Sequence, residues 1–440
     1  MQKVMIIARY FGTRIPGLIK YLPEFGWQPV LLTTDPITLP LPPELAVFNT
    51  PYRDSLRLWR RLFRLDARHD VRAQIRDRFG VTSKKSLLDF MMTRCGEIIN
   101  YPDADKGWRP FGIRLGDELL RRENIDAIIS SSSPVSSHII AQALTARHRV
   151  PWVADLRDLW SQNHNYTYSW FRKMLDRRLE IKTLSRADAL VTVSRPWADK
   201  LKTLHGDRPV YTIANGYDPE DVNDPPRSLA ARFTITHTGN LYTGKQDAST
   251  FLTALQSLIA EGTINPADVE VRFYGPEQGW LHQEIAQCGL SGVVRQYGWV
   301  TRQVALAKQR ESQVLLAINW ETEEGLVGNQ GKLFEYLAAQ RPILVTGGGG
   351  NYMCRELLDE TRAGCHAPTV EEVRDSLAAY YREYRRRGCV GFQGNSARID
   401  RHSYREKARE MAGVLESITV PGVPVRRAPD RSLAARGLFG

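Results

Sequence analysis

The chain has 440 residues, of which 42% are hydrophobic and 25% charged, and a formal net charge of +11. This length predicts two domains, and the composition is that of an ordinary soluble globular protein. No stretch reaches the roughly 18 consecutive apolar residues of a membrane span, and the opening MQKVMIIARYF becomes polar too early for a signal peptide. The five cysteines are scattered without CxxC or CxxH spacing, which disfavours a zinc site or a disulfide framework and predicts a cytoplasmic location.

The first half of the chain alternates apolar strands with helical segments. A strand over Lys3–Tyr10 is followed by a loop, a helix over Gly17–Phe25 and a second strand over Trp27–Thr34. Beyond residue 125 the alternation resumes with a strand and then a helix over Ser136–Arg147. Such alternation predicts an α/β class with a doubly wound parallel sheet. Later strands are predicted over Pro151–Asp158, Ala187–Ser194 and Pro209–Gly216.

A basic segment at about residues 53–110 interrupts this first domain. Between Arg53 and Arg94, twelve Lys or Arg residues oppose five acidic ones, a balance of +7 that attracts anions. The segment either lies on an anionic membrane surface as an amphipathic helix or packs its apolar stripe on its own domain. Asp103-Ala104-Asp105 has the form of a DxD metal motif, but it follows no strand of a nucleotide site, and we interpret it as coincidental. The apolar stripe consists of Leu56, Trp59, Leu62, Phe63 and Leu65.

A linker rich in proline and aspartate, Asp218–Arg227, separates a first domain (1–220) from a second α/β domain (228–395). The tail from residue 419 to 440 has no periodicity, which predicts disorder. Predicted elements beyond the linker include strands over Arg232–Gly239 and Val269–Gly275 and helices over Ala248–Glu261, Val370–Arg387 and Ser403–Ile418.

The most informative stretch, Gly328–Asn351, is GNQGKLFEYLAAQRPILVTGGGGN and predicts a glycine-rich loop, an amphipathic helix and an apolar strand. Lys332 and Glu335 are three residues apart, so both lie on one face of the first helical turn. The unpaired N–H groups and positive dipole end of that turn suit a phosphate. A lysine beside the phosphate and a carboxylate that bridges two hydroxyls predict a site for a nucleoside diphosphate with its ribose. The alternative is an ordinary loop–helix–strand crossover with a surface Lys–Glu pair.

Seven motifs in a fixed order make the chain resemble the retaining GT-B glycosyltransferases of family 4 that build bacterial surface polysaccharides. The first half contains SSSSPVSSHIIA, VPWVADLRDLW, ADALVTVS and IANGYD, and the second contains ITHTGNLYTGKQD, VRFYGPEQ and KLFEYLAAQRPIL. The resemblance covers nearly all of residues 1–418. It implies two Rossmann-like domains facing across a cleft, with the acceptor on the first domain and the sugar-nucleotide donor on the second. It also implies that the last helix (396–418) crosses back to the first domain.

The resemblance further implies which residues of the second domain contact the donor. Glu335 matches the glutamate that holds the ribose hydroxyls, and Lys245 matches the lysine that contacts the diphosphate. The companion arginine of that lysine corresponds to Asn240, and we expect Lys332 to supply the missing charge. Other donor contacts are expected from Gly239, Gly328, Asn329, Gly331 and Leu333.

Two positions depart from the family. The first of its paired glutamates corresponds to Val327, and we expect Glu323 or Glu324 to contact the sugar through a slightly longer loop. A histidine that ends the strand PWVADLRD in many relatives is Arg157 here, which binds phosphate or sugar hydroxyls but is no base near neutral pH. Asp155 lies on the same face of the extended segment, so a buried Arg–Asp pair that fixes a loop is the alternative.

The loop Gly12-Thr13-Arg14 stands where relatives carry a glycine pair before the first helix. Such a loop lets backbone N–H groups reach the donor phosphate, and Arg14 is expected to add charge there. His138 lies near the start of a predicted helix, where capping or packing is favoured over catalysis.

The activity implied by the resemblance is transfer of a sugar from a nucleotide sugar to the hydroxyl of a lipid-linked or polysaccharide acceptor. It proceeds by front-face substitution without a metal or a cofactor, and the location is cytoplasmic, with peripheral contact to an anionic membrane. The alternatives are a sugar-nucleotide epimerase of the same fold and a catalytically inactive binder of glycan or nucleic acid. The catalytic candidates are Lys245, Lys332, Glu324, Arg157 and Asp155.

Overall fold

The computed structural model describes residues 1–34, 41–53, 96–163, 168–222, 228–320, 331–348 and 352–419. Within these ranges the chain forms two parallel sheets, one of seven strands and one of six, which confirms the predicted α/β class. None of the helices in these ranges has the length and apolar content that crossing a bilayer requires. Several predicted features lie outside the described residues. They are residues 54–95 of the basic segment, residues 321–330 with the start of the glycine-rich loop, and the tail from residue 420.

The first sheet has the strand order β3-β2-β1-β4-β5-β6-β7. Its strands are β1 (Gln2–Ile7), β2 (Trp27–Thr34), β3 (Ala46–Thr50), β4 (Ala127–Ser132), β5 (Trp152–Leu156), β6 (Ala189–Thr192) and β7 (Val210–Thr212). Its helices are α1 (Arg14–Tyr21), α2 (Arg109–Arg122), α3 (Ser136–His148), α4 (Trp170–Leu184) and α5 (Arg195–His205).

Strand β1 is apolar and buried from Val4 to Ile7, because helices cover both faces of the sheet there. Val4 and Ile6 join a core cluster with residues of α1, whereas Met5 and Ile7 join the cluster on the other face, with residues of α3. This is the alternation expected of successive residues in a strand. Each apolar run of the sequence therefore supplies two cores at once.

The second sheet has the strand order β10-β9-β8-β11-β12-β13. Its strands are β8 (Phe233–Thr238), β9 (Val269–Tyr274), β10 (Val294–Gln296), β11 (Val314–Ile318), β12 (Ile343–Thr346) and β13 (Gly364–Ala367). Its helices are α6 (Ser249–Ala260), α7 (Gly279–Gln287), α8 (Arg302–Arg310), α9 (Gly331–Ala339), α10 (Tyr352–Thr361) and α11 (Val370–Arg387).

The chain ends, within the described residues, in a short α12 (Ser396–Ile399) and the long α13 (Tyr404–Thr419). Tyr404, Met411 and Leu415 of α13 are buried in the first domain's core. Helix α1 approaches α13 closely, since a Cβ placed on Gly17 would lie 2.4 Å from Cγ of Tyr404. The last helix therefore packs on the first domain.

Some element boundaries differ from the sequence expectation. The helix predicted over Gly17–Phe25 begins at Arg14, and its last part, Leu22–Phe25, is a 3-10 turn that contains a proline near its start. Strand β3 was not predicted, because it is a short edge strand that is largely half-exposed and lacks an apolar run. Helix α4 was also missed.

Each sheet has one point at which the strand order reverses. In the first sheet β1 lies between β2 and β4, and in the second β8 lies between β9 and β11. In open parallel sheets, ligands bind outside the carboxyl ends of the strands at such a switch point. A ligand site is therefore expected at two loops, the loop 8–13 after β1 and the loop that begins at Gly239 after β8.

Candidate functional site

The second-domain half of the site consists of the loop after β8 and the first turn of α9. Gly239 has a φ of +106°, and a Cβ there would lie 3.5 Å from Nζ of Lys332. Glycine thus lets the loop adopt this conformation beside the lysine side chain. The ammonium of Lys332 donates to the carbonyl of Asn240 at 3.3 Å, so loop and helix are joined.

The ammonium of Lys332 also contacts a buried histidine, His237. Nδ1 of His237 donates to the carbonyl of Leu316 at 3.0 Å, which leaves Nε2 as an acceptor 3.3 Å from Nζ of Lys332. Burial, and then the charge of Lys332, place the pKa of His237 well below its usual value. The imidazole is therefore neutral and acts as a fixed acceptor that aims the lysine.

Lys332 is a half-buried cation. Burial lowers its pKa to about 8, and the carboxylate of Glu335 acts in the opposite direction. Lys332 follows Gly331, the first residue of α9, and so belongs to the first turn of that helix. A partly desolvated ammonium at a helix N-terminus attracts an anion such as a phosphate. Leu333 is buried in the core, so only its backbone faces this turn.

Glu335, one turn further along α9, is held by an arginine of α8. Nε of Arg302 lies 3.3 Å from Oε1 of Glu335, and Nη2 lies 2.6 Å from Oδ2 of Asp221 in the linker. Burial raises the pKa of Glu335, and the charge of Arg302 lowers it. The side chain stays 21% exposed, so the carboxylate is oriented yet accessible to a ligand.

Lys245 lies in the same loop, further from β8. Its ammonium is 4.8 Å from the ring centroid of Trp320, at the end of β11, a cation–π contact. Gln246 pins the loop by donating to the carbonyl of Ile318 at 2.5 Å and accepting from the N–H of Tyr242 at 3.0 Å. Lys245 therefore stands at the carboxyl edge of the second sheet, beside Trp320.

In the first domain the structure corrects the roles expected for Arg14 and Asp155. Nη2 and Nε of Arg14 donate to the two carboxylate oxygens of Asp155 at 2.9 and 3.2 Å. Nη1 of Arg14 donates to the carbonyls of Ile213 and Ala214 at 2.9 Å each, and Ser131 also donates to Asp155. Both ionic groups are buried and bonded to the protein. Arg14 thus adds no charge to a phosphate in this conformation, and Asp155 offers no carboxylate for catalysis.

Arg157 pairs with backbone rather than with Asp155. Its guanidinium donates to the carbonyls of Ser132, Phe11 and Tyr10 at 2.8, 3.0 and 2.6 Å. One side chain therefore ties together the loops after β1, β4 and β5. A Cβ on Gly12, whose φ is +53°, would lie 3.4 Å from Nη1 of Arg157. Arg157 therefore positions the Gly12–Thr13 loop, and its expected contact with phosphate or sugar hydroxyls stays a prediction.

The two halves approach each other through the last helix. The hydroxyl of Tyr404 lies 2.7 Å from Oγ1 of Thr13, next to Gly12 in the first-domain loop. The charge of Glu335 acts on the same tyrosine, whose pKa is raised mainly by burial.

His138 and the DxD-like motif have structural roles. His138 is fully buried, with Nδ1 2.7 Å from Oγ of Ser130, and burial lowers its pKa to about 4. Asp103 accepts from the N–H and hydroxyl of Ser136 at the start of α3, and Asp105 pairs with Arg9. Among the described residues, no group of three or more His, Cys, Asp or Glu side chains is arranged to hold a metal ion.

Three expected site residues, Glu324, Gly328 and Asn329, lie outside the described residues, as do Glu323 and Val327. His237 and Arg302 are site residues that the sequence did not predict. His237 is the last residue but one of β8, and the motif ITHTG marked it only as part of a strand. Arg302 acts on Glu335 from 33 residues away along the chain, and no local spacing rule connects the two.

Two doubly wound domains, with a half-buried lysine in the first turn of α9 at the second switch point, have the architecture of the GT-B class. The model of "Glycosyltransferase Family 4" matches residues 90–221, and that of "Glycosyl transferases group 1" matches residues 232–383. The chain therefore belongs to the family 4 glycosyltransferases of the GT-B fold, and it is a glycosyltransferase. A comparison of the sequence with curated proteins finds no match.

Solved structures agree on the fold. HepE of Anabaena, in complex with UDP and glucose, is 13% identical with a TM-score of 0.59, and the match covers 95% of this chain and all of HepE. Trehalose 6-phosphate synthase of Burkholderia multivorans is 12% identical with a TM-score of 0.57, covering 95% and 98% of the two chains. A putative UDP-N-acetylglucosamine 2-epimerase of Listeria monocytogenes is 11% identical with a TM-score of 0.51, covering 94% and 96%. Identities this low show the shared fold alone.

Proposed function

We propose that the chain transfers a sugar, with retention of configuration, from a nucleotide sugar to an acceptor hydroxyl. The observation that carries this proposal is the Lys332 ammonium, which His237 aims beside the N-terminus of α9, with Glu335 one turn away. A diphosphate and its ribose present the matching groups, two negative charges and a pair of neighbouring hydroxyls. The similarity to HepE, whose structure was solved with UDP and with UDP-glucose, supports a nucleotide-sugar donor.

In this arrangement each part of the donor meets a different group. Glu335 accepts hydrogen bonds from the ribose hydroxyls, and Arg302 keeps the carboxylate ionised and oriented. Lys332, Lys245 and the N–H groups of the first turn of α9 neutralise the diphosphate. The sugar then extends towards the Gly12–Thr13 loop of the first domain.

The reaction itself is a front-face substitution. The bond between the anomeric carbon and the diphosphate oxygen breaks, and the acceptor oxygen forms its bond to that carbon on the same face. The departing diphosphate takes the acceptor's proton, so no protein base is required. A retaining glycosidase needs a carboxylate nucleophile, whereas the carboxylate of Asp155 in the first domain is bonded to Arg14.

The protein's contribution is to stabilise the charge that grows on the leaving diphosphate. Lys332 and Lys245 supply positive charge where a metal ion would otherwise act, which supports a metal-independent reaction. No cofactor is needed for this step. The carboxylates of the DxD-like motif are bonded to Ser136 and Arg9 and belong to the framework of the first domain.

For the acceptor we propose a lipid-linked or polysaccharide hydroxyl at the cytoplasmic face of an anionic membrane. The support is the balance of +7 between Arg53 and Arg94, a charge that attracts an anionic surface. This segment belongs to the domain that carries the acceptor in the proposed arrangement.

A thermal-shift screen against nucleoside diphosphates and their sugars tests the donor site. A ligand that binds the folded state raises the melting temperature by mass action. With the best donor, an NMR assay without acceptor then separates transfer from epimerisation, because an epimerase converts its nucleotide sugar without a second substrate. Retention is tested by the anomeric configuration of the product. No shift with any member of the panel would contradict the proposal.

A further inference from the structure

Helix α4 carries large apolar side chains on the face that points to solvent. Trp170 is 76% exposed, Phe171 53% and Ile181 41%. Trp170, the half-buried Met174 and Ile181 are spaced by four and seven residues, so they form one stripe along the outer face. Single exposed apolar residues are ordinary, whereas an apolar stripe along the outer face of a helix indicates an interaction surface.

The charges of the same helix are sorted by sign. Lys173 and Arg177 lie exposed on one side of the stripe, and Arg178 and Lys182 lie exposed on the other. The helix also carries two acids, Asp176 and Glu180, and both are buried. An ordinary solvent face mixes both signs, so the outer face of α4 is electrostatically selective for a negative surface.

Buried partners account for this sorting. Asp176 accepts from Nε of Arg172 at 2.8 Å, and Glu180 accepts from the N–H of Ser161 at 2.9 Å. Arg172 in turn donates to the carbonyl of Pro102 at 2.7 Å, and Ser169 donates to Glu97 at 2.6 Å. The start of α4 is thus fixed to residues 97–102, where the basic segment rejoins the domain.

The stripe begins on the same side of the domain as the proposed site. Helix α4 follows β5, and the helix of a parallel crossover starts near the carboxyl end of the preceding strand. Trp170, the first residue of α4, therefore lies towards the edge of the sheet where Arg157 ties the site loops together.

We propose that the outer face of α4 docks on the surface of an anionic phospholipid bilayer. Trp170 and Phe171 enter the headgroup region, where aromatic rings are favoured, and the flanking cations bind lipid phosphates. A dissolved polyanion would use the cations but would leave the apolar stripe in water. The docking surface serves the proposed function by bringing the site to a membrane-bound acceptor, and vesicle binding itself requires no catalysis.

Flotation of the full-length protein with vesicles tests the docking surface. Wild type is expected to bind phosphatidylglycerol vesicles and not phosphatidylcholine vesicles. Trp170→Ala/Phe171→Ala should weaken binding by about tenfold or more, and Arg177→Gln/Arg178→Gln by about fivefold for each cation removed. Trp299→Ala is the matched aromatic control, because Trp299 is 74% exposed on the second domain. Arg382→Gln/Arg386→Gln on α11 is the matched charge control.

Equal vesicle binding by wild type and the α4 variants would overturn the proposal, as would no binding of wild type. A salt-sensitive complex with heparin that ignores Trp170→Ala/Phe171→Ala and exceeds vesicle binding would assign the face to a soluble polyanion instead. A dimer in light scattering that the aromatic variant dissociates would assign it to a second copy of the chain. Unchanged thermal shifts with nucleoside diphosphates show that the variants are folded. If the donor screen finds no ligand, the proposed donor site is contradicted, but vesicle binding by the outer face of α4 is still tested by flotation.

Discussion

Nζ of Lys332 lies 3.3 Å from Nε2 of His237, so a neutral imidazole from β8 aims the ammonium at the start of α9. The histidine is fixed from its other side by the carbonyl of Leu316. The sheet and the helix therefore meet in one hydrogen-bonded chain that ends in a positive charge. This arrangement explains how a single lysine is held in a partly desolvated position at the switch point of the second domain.

Removal of the Lys332 charge should slow transfer. Lys332→Ala is expected to reduce kcat by about a hundredfold or more, because the leaving diphosphate loses a preorganised cation. The measurement is steady-state kinetics with the donor identified by the thermal-shift screen. Lys202→Ala, which removes an exposed lysine from α5, is the matched control. Equal kcat values for Lys332→Ala and the control would contradict the assignment.

The pH dependence of donor binding should report the same lysine. Its pKa of about 8 means that the free protein loses the charge as the pH rises through that value, so affinity for a nucleoside diphosphate should fall on the alkaline side. Lys332→Arg keeps its charge throughout and should remove this fall. Calorimetric titrations between pH 6.5 and about 9.5 measure both profiles. If wild type and Lys332→Arg lose affinity over the same alkaline pH range, a group other than Lys332 titrates there.

Arg302 should influence nucleotide binding through the pKa of Glu335. Because the charge of Arg302 lowers the pKa of a carboxyl that burial raises, Arg302→Gln should raise that pKa further. The carboxyl group accepts from both ribose hydroxyls with both oxygens only when it is ionised, so nucleotide affinity should fall at a higher pH on acidification than in wild type. Arg374→Gln, which breaks an exposed pair with Glu261, is the control. If Arg302→Gln and wild type lose nucleotide affinity at the same acidic pH, Arg302 does not act through the pKa of Glu335.

Glu335→Ala and Lys245→Ala should abolish transfer without unfolding the protein. The first variant removes the ribose acceptor, and the second removes a cation from the loop opposite Trp320. Product formation and circular dichroism together measure activity and fold. Glu356→Ala, at an exposed position of α10, should leave both unchanged. Near-normal turnover in the two site variants would refute the site.

The buried pair of the first domain should matter for stability rather than for chemistry. Asp155→Ala leaves the Arg14 guanidinium buried without its partner, which should lower the free energy of unfolding by about 3–5 kcal/mol. Glu123→Ala breaks the exposed pair with Lys3 and should cost less than about 1 kcal/mol. Urea titrations of both variants give the comparison, and similar losses would show that burial does not distinguish the two pairs.

Local sequence patterns predict the bounds of some elements of this chain correctly. The strand Trp27–Thr34 and the helix Val370–Arg387 have the bounds expected from their patterns. The helix begins with a capping box, in which the side chains of Thr369 and Glu372 each bond the other's N–H group. Such contacts lie within a few residues along the chain, which is why the sequence predicts them. The edge strand β3 lacks any comparable local pattern.

The sequence by itself determined the two α/β halves, their apolar strands and the lysine and glutamate one turn apart on α9. Only the tertiary structure decided the partners of the charged side chains. Asp155 bonds Arg14, 141 residues away, rather than Arg157 two residues on, and Lys332 meets His237, 95 residues away. The reason is that hydrophobic periodicity depends on neighbours in the chain, whereas an ion pair in the interior depends on which strand ends the folded sheet brings together.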